Sequence, residues 1–510
     1  MAKLNKIDSN VTGLSYAKED SLGVLPGTPD WIPLEPNGYS DFGGEITTVA
    51  RNPINPSRQR KKGVVTNVAA SAGWGTDLTQ ENYQDIVQGF LFAAMRTKDE
   101  LPVTTVDTGD TTDDYEPASG GDAYAVNDLL FAKGFSDDQA NGLKVVNGTP
   151  AATSVPVTTA LPVLTGQTGT ISRVGRRGAS ADIDVDATGT LPALTSTVLD
   201  FTTLGLIPGE LVFVGGDAAG NQFANAVNNG YCRIRSIVAN RMEFDETQFT
   251  MVDETGTGLS IDMFFGRLCR NELGTLIQRS TYSLERQMGA PDDAFPAQIQ
   301  AQYVDGAVSS ELSLNVPTAD KIAMDLTFLA TKSVSNLAAV GIRTGNRLAL
   351  VESDAFNTSD NVPFVKLSKV VAGDAAPEPL FAFAQDITLT INNNLEANEA
   401  IGVLGAFEIT AGTFQVGGDM TAYFSDLAAV NAVENNEDIS FQMHVSKANQ
   451  GISLQLPLIS LGDGRPSVEQ DTAITLPLSM DAASAAKIAS DLDFTLQFTF
   501  WDYLPDLALS

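Results

Sequence analysis

One histidine in 510 residues leaves little material for acid–base catalysis near neutral pH. That residue, His444, stands in the strand-like run Phe441-Gln442-Met443-His444-Val445, with no nucleophile motif beside it. Neither a Gly-x-Ser-x-Gly elbow nor a Gly-Lys-Ser/Thr phosphate loop occurs. The two cysteines, Cys232 and Cys269, cannot build a disulfide framework or a zinc site and read as small hydrophobes in a reducing cytoplasm. No uninterrupted apolar run reaches the roughly 18 residues a membrane span needs, and Met1–Lys6 lacks the apolar core of a secretion signal. A soluble chain made in the cytoplasm is expected, with no membrane partner. Asp182-Ile183-Asp184-Val185-Asp186 invites a calcium reading, but Ala187 and Ala193 stand where an EF-hand needs Gly and Glu. No catalytic residue, cofactor or metal is therefore expected.

Positive charge is also scarce. The chain has 31 Lys and Arg against 63 Asp and Glu, a net charge of −32. The first hundred residues are nearly balanced, and the surplus follows them. No Lys or Arg occurs in 99–132 or in 370–446. Tight DNA binding needs many cation–phosphate contacts, so this balance disfavours it. The basic exception is Arg51, Arg58, Arg60, Lys61 and Lys62. This cluster has no interleaved aromatics, and it reads as a contact to an acidic neighbouring subunit.

What remains is β-forming sequence cut by turn residues. Residues 1–45, rich in Gly and Pro, read as an extended N-terminal arm. Val64, Thr66, Val68, Ala70, Ala72 and Trp74 alternate as a strand, and Asp77 or Thr79 looks like the cap of a helix over 81–95. Residues 99–122 are acidic and rich in Thr and Gly, like a linker. They open a segment, 101–266, with a weak internal repeat: Asn127–Phe131 then Asn141-Gly142, and Pro208–Phe213 then Asn229-Gly230. Each Asn-Gly suggests a tight hairpin turn. Further alternating stretches include 308–316 with 322–328, 387–391, 414–424 with a short helix at 426–434, 452–458 with 474–478, and 494–500.

Strand, helix and later hairpin thus occur twice in one order. The expected fold is mainly β: two tandem β-sandwich domains, each with a flanking helix, plus an inserted small all-β module. The first domain would combine 46–100 with 267–345, the module would be 101–266, and the second domain 346–510.

Ser15-Tyr16-Ala17-Lys18-Glu19-Asp20-Ser21-Leu22-Gly23, Pro26-Gly27-Thr28-Pro29 and Trp31-Ile32-Pro33-Leu34 resemble the opening of siphophage tail tube proteins. Phe201–Leu206, Glu210–Asp217, Asn228–Gly230 and Phe264–Arg267 resemble a module of longer members. Ser280–Arg286 and Thr388–Leu395 resemble the family's later strands. The resemblance implies a virion protein made in the host cytoplasm, a tail tube subunit whose rings stack into a hollow tube that conducts DNA without binding it specifically. It implies partners too: further copies of the chain (a trimer with pseudo-sixfold symmetry, or a hexamer), the tape measure, and tail terminator and tip proteins. The Lys-free stretch would face the lumen, with Asp386, Glu408 and Asp419 as its acidic residues. The cluster Arg51–Lys62, the N-terminal arm and the segments near 345–370 would make ring-to-ring contacts, and the module would sit outside the tube.

Other readings are a tail-tip or distal tail component, an acidic surface-layer or adhesive protein, and a carbohydrate-active enzyme. The last would want aromatic platforms, and the chain has only Trp31, Trp74 and Trp501.

Overall fold

The computed structural model describes residues 7, 9, 12–52, 54, 56, 59–107, 113–289, 299–337, 340–381 and 383–509. Strands dominate them, and their two α-helices are short, Gln84–Leu91 and Ala428–Glu434. The fold is mainly β, as the alternation of apolar and polar residues predicts. No helix among the described residues is long and apolar enough to cross a membrane.

Period-two sequence builds the central layer. In Ala323–Ala330, Met324, Leu326 and Phe328 are buried while Asp325 and Thr327 face outward. The same alternation runs through a continuous antiparallel sheet. Its order is Gly38–Arg51, Lys61–Asp77, Ala323–Ala330, Ala301–Val316, Ala384–Asn392, Gln415–Tyr423, Thr475–Ala482 and Gln450–Asp463, eight strands in all. One face buries Trp74, Phe328, Leu312, Leu314, Leu389, Met420 and Leu478 in the main core, under the two helices and the outer strands. Trp74 stacks on Phe328 at 5.0 Å, and Phe90 of the first helix meets the same ring edge-on at 5.4 Å.

The connectivity repeats along the chain. In the first half, Gly38–Arg51 pairs Lys61–Asp77, the helix Gln84–Leu91 follows, and Tyr282–Gln287 pairs the start of Ala301–Val316. The end of that long strand then turns back into Ala323–Ala330. In the second half, Ala384–Asn392 pairs Gln415–Tyr423, the helix Ala428–Glu434 follows, and Ile439–Lys447 pairs Gln450–Asp463, which turns back into Thr475–Ala482. Within this sheet the halves meet in the ladder Glu311–Val316 against Ile387–Asn392, and in the outer layer Arg267–Arg270 pairs Gln497–Trp501.

Strands between Glu100 and Phe265 pair only among themselves, in a second, 12-stranded sheet. This sheet lies on the outward face of the outer layer of the second half. Leu129, Val174, Leu211, Phe213, Tyr231 and Phe264 pack there against Trp501, Leu504 and Ala508.

Several local expectations give way. Residues 1–45 are not an extended arm over their described part. Gly13–Lys18 and Asp30–Leu34 pair with each other, and the first also pairs Tyr282–Gln287, because Leu14, Tyr16 and Leu34 alternate into the core. The first helix starts after Tyr83 with no side-chain cap, so neither Asp77 nor Thr79 caps it. The stretch read as a linker forms strands Glu100–Asp107 and Asp114–Pro117, paired across residues that lie outside the described ones. The Asn-Gly pairs do not sit in two-residue turns. Asn141 Oδ1 accepts from Phe135 N–H (3.0 Å) and its Nδ2 donates to Phe135 O (3.0 Å). Asn229 holds Phe223 the same way, at 2.9 Å in both bonds. Each asparagine thus staples a longer loop, and Gly142 supplies the positive φ of 88° that follows it.

Candidate functional site

The eight-strand sheet has a second face, and its chemistry follows from strand register. Because alternate residues point to opposite sides, the residues between the core positions share one surface. These are Asp41 and Gly43; Ser71, Gly73, Gly75 and Asp77; Asp325 and Thr327; Glu311, Ser313 and Asn315. On the second half they are Asp386, Thr388, Thr390 and Asn392; Gly417, Asp419 and Thr421; Ser479 and Asp481. None of these positions is a Lys or Arg; the Lys and Arg of the eight strands, Arg51, Lys61 and Lys62, stand at the far end of the first hairpin. Asp41, Asp325, Asp386, Asp419 and Asp481 are exposed, and Asp77 and Glu311 are half-buried.

Neutral donors hold several of these carboxylates. Thr421 N–H donates to Asp386 Oδ1 at 3.0 Å, Asn392 Nδ2 to Glu311 Oε2 at 2.8 Å, and Asn315 Nδ2 to Asp325 Oδ2 at 3.2 Å. Ser71 Oγ donates to Asp41. Such bonds fix geometry without cancelling charge. At the margin, Lys321 Nζ pairs with Asp77 at 2.8 Å. The surface is small-residue, hydroxyl-rich and anionic. It can repel a polyanion, and its donors and acceptors are largely committed to each other.

The residues singled out from the sequence fall in three places. Asp386 and Asp419 lie on this face, on neighbouring strands. Glu408 does not: it stands on Ala406–Thr410, which forms a separate two-strand hairpin with Glu396–Glu399. Arg51, Arg60, Lys61 and Lys62 lie at the far end of the long hairpin Gly38–Arg51/Lys61–Asp77, and Arg58 lies outside the described residues. Asp41, Asp77, Glu311, Asp325 and Asp481 were not singled out. Their alternation with apolar neighbours, as in Met324-Asp325-Leu326, was the available signal.

Among the described residues, His444 forms the one arrangement that looks like catalytic chemistry. Its Nδ1 lies 2.5 Å from Ser453 Oγ. But it is 1% exposed, its ring stacks on Tyr231 at 3.9 Å, and Trp501 Nε1 donates to the same Ser453 hydroxyl at 2.6 Å. Burial pushes the imidazole down to about 3. The pair is packed between the 12-stranded sheet and the second half, out of reach of any substrate. In the 182–186 stretch, Asp182 turns inward and accepts from Ser196 Oγ (2.6 Å) and from Thr197 and Val198 N–H (2.9 and 2.8 Å). No group of three or more potential metal ligands occurs among the described residues.

Residues 9–482 match the family model described as phage tail tube protein. No curated protein matches the chain.

Proposed function

We propose a function from one premise: the chain belongs to the phage tail tube protein family, and is a structural protein of a phage tail. In this reading its copies join edge to edge into rings, the rings stack, and the acidic sheet face lines the channel through which DNA passes. The observation that carries the reading is the eight-strand sheet with its cation-free outer face.

The sheet has complementary ends. Gly38–Arg51 pairs on one side only, and the last residues of Gln450–Asp463 pair Thr475–Ala482 on one side only. By the repeated connectivity, those two edges correspond to Ala384–Asn392 and Ala301–Val316, which pair with each other inside the chain. The internal ladder is thus a template for a head-to-tail joint between copies, which closes into a ring and leaves no exposed sheet edge. Strands about 4.8 Å apart give a wall roughly 37 Å across for three copies and roughly 25 Å for two, before tilt. Side chains take several ångströms from each wall, so three copies leave clearance for a duplex. This favours a trimer with pseudo-sixfold symmetry built from two tube domains per chain. The self-paired strands 100–265 would be an inserted module on the outside, since they cover the layer opposite the acidic face.

Passive conduction needs a wall that does not take up phosphate contacts. Acidic side chains leave the DNA counterions in place and keep it from adhering. Electron microscopy of the purified chain, or of virions carrying it, should show threefold rings and hollow tubes; a chain that stays monomeric at all concentrations would sink the reading. Replacing Asp325, Asp386 and Asp419 together by Lys should slow or stall DNA ejection while tubes still form. Unchanged ejection would reject the conduction mechanism.

A further inference from the structure

The hairpins that prolong equivalent strands in the two halves carry opposite charge. Residues 44–67 of the first half contain Arg51, Arg58, Arg60, Lys61 and Lys62 against Glu45 alone. Residues 393–414 of the second half contain Glu396, Glu399 and Glu408 and no Lys or Arg. Both hairpins also display apolar side chains to solvent: Ile46, Val49, Val64 and Val65 on the basic one, Ile401, Leu404 and Phe407 on the acidic one. Arg51, Arg60, Lys61 and Lys62 make no ion pair among the described residues. Exposed apolar residues beside uncompensated charge mark a contact surface.

We propose that the occupant of the basic hairpin is the acidic hairpin of a second copy of this chain. Within one chain the acidic hairpin already lies across the root of the basic one. Asn67 Nδ2 donates to Glu399 Oε1, and a Cβ on Gly405 would sit 3.1 Å from the carbonyl oxygens of Val68 and Thr331. The repeated connectivity applies this relation again at each joint: the basic hairpin of the next copy comes to lie across the root of the acidic hairpin of the copy before it. Basic and acidic hairpins then alternate around the ring, and each joint between copies brings opposite charges together. The inference rests on the head-to-tail reading above, and it adds that opposite charges meet at the joint between copies as they do within a chain, with the order of the two hairpins reversed.

The test uses the full chain in three forms: Arg60→Glu with Lys61→Glu and Lys62→Glu; Glu396→Lys with Glu399→Lys and Glu408→Lys; and all six together. Tube assembly is followed by light scattering and electron microscopy, and thermal melts of the unassembled protein check folding. Each single-hairpin reversal should raise the protein concentration needed for assembly by about tenfold or more, and the six-site form should restore it, because the charges are exchanged rather than removed. Wild-type assembly should weaken near 1 M salt, where the screening length falls to about 3 Å. Folded single reversals that assemble like wild type, or a folded six-site form that stays unassembled, would overturn the proposal. So would a basic hairpin whose reversal abolishes binding to a DNA fragment and leaves assembly untouched. If the wild-type chain itself forms no tubes, the tube reading fails instead.

Discussion

The outer layers of the two halves are covered in opposite ways. Over the first half, the outward-facing Glu285 and Asp305 are met by Arg347 and Arg343. Arg347 binds both Glu285 oxygens at 2.5 and 2.9 Å, and Arg343 binds both Asp305 oxygens at 2.6 and 2.8 Å. The two guanidinium groups lie over the Trp31 and Tyr303 rings at 4.9 and 4.0 Å. Tyr303 Oη adds a third bond to Glu285, at 2.6 Å. Over the second half the cover is the 12-stranded sheet, and the layer beneath it is rich in buried polar side chains. Cross-strand rows run Gln442–Gln455–Gln497 and His444–Ser453–Thr499. Gln442 Nε2, His444 Nε2, Ser446 Oγ, Gln455 Nε2, Gln497 Oε1 and Thr499 Oγ1 find no hydrogen-bond partner among the described residues. One cover is matched group for group. The other is a seam that joins an apolar cluster around Trp501 to a few direct hydrogen bonds, among them Gln497 Nε2 to Gly209 O at 2.9 Å and Ser440 Oγ to Glu246 at 3.0 Å, and leaves several polar groups beneath it without a partner among the described residues.

The largest effect should come from breaking the matched cover. Glu285→Ala leaves Arg347 and Tyr303 unanswered around a site that is 0% exposed, and should cost about 3–5 kcal/mol in denaturant unfolding. A loss below 1 kcal/mol would mean that the Arg347–Glu285 pair contributes little to the cover.

Acid should act on the other seam. His444 is held near 3 by burial, against an ordinary value of about 6.5, so the native seam keeps the imidazole neutral. Above about pH 6.5 this has no effect, because the unfolded histidine is neutral too. As pH falls below that, the opened state takes up a proton that the closed seam refuses, and the seam loses up to about 1.4 kcal/mol per pH unit. Amide exchange at the seam should therefore speed up on acidification in the natural chain more than in His444→Gln. Parallel profiles would remove histidine from the account.

The smallest effect should be the most telling about the contrast. Gln442→Leu removes an unpartnered amide from the seam, and should be neutral or stabilising by less than about 1 kcal/mol. A large loss would show that the amide is satisfied after all, and the two covers would no longer differ in kind.

Legibility from sequence followed the same physical line. Strands with one buried face announce themselves, and 308–316, 322–328 and 387–391 do so by period two; 452–458 alternates in sequence although both of its faces are buried. Gly13–Lys18 and Asp30–Leu34 were hidden because they are short and set among glycines and prolines, and tertiary pairing decides them. For the acidic face, Asp386 and Asp419 could be read, but Glu408 was drawn in by a Lys-free window of sequence. Charge windows run along the chain, whereas a sheet face is assembled across it. Glu311 and Asp325 show the cost of the window: Glu311 stands opposite Asn392 and Asp325 one strand further along the same sheet, yet both lie far from the window in sequence.

The ladder between Glu311–Val316 and Ile387–Asn392 has a kinetic consequence. A joint within a polypeptide forms at a rate set by the tether and does not depend on how much protein the infected cell has made. A joint between chains must wait for an encounter and gives up translational freedom each time. If copies close head to tail as proposed, alternate joints are already written into the chain, so only half of the joints need an encounter, and partial assemblies have fewer loose ends to mispair while they wait.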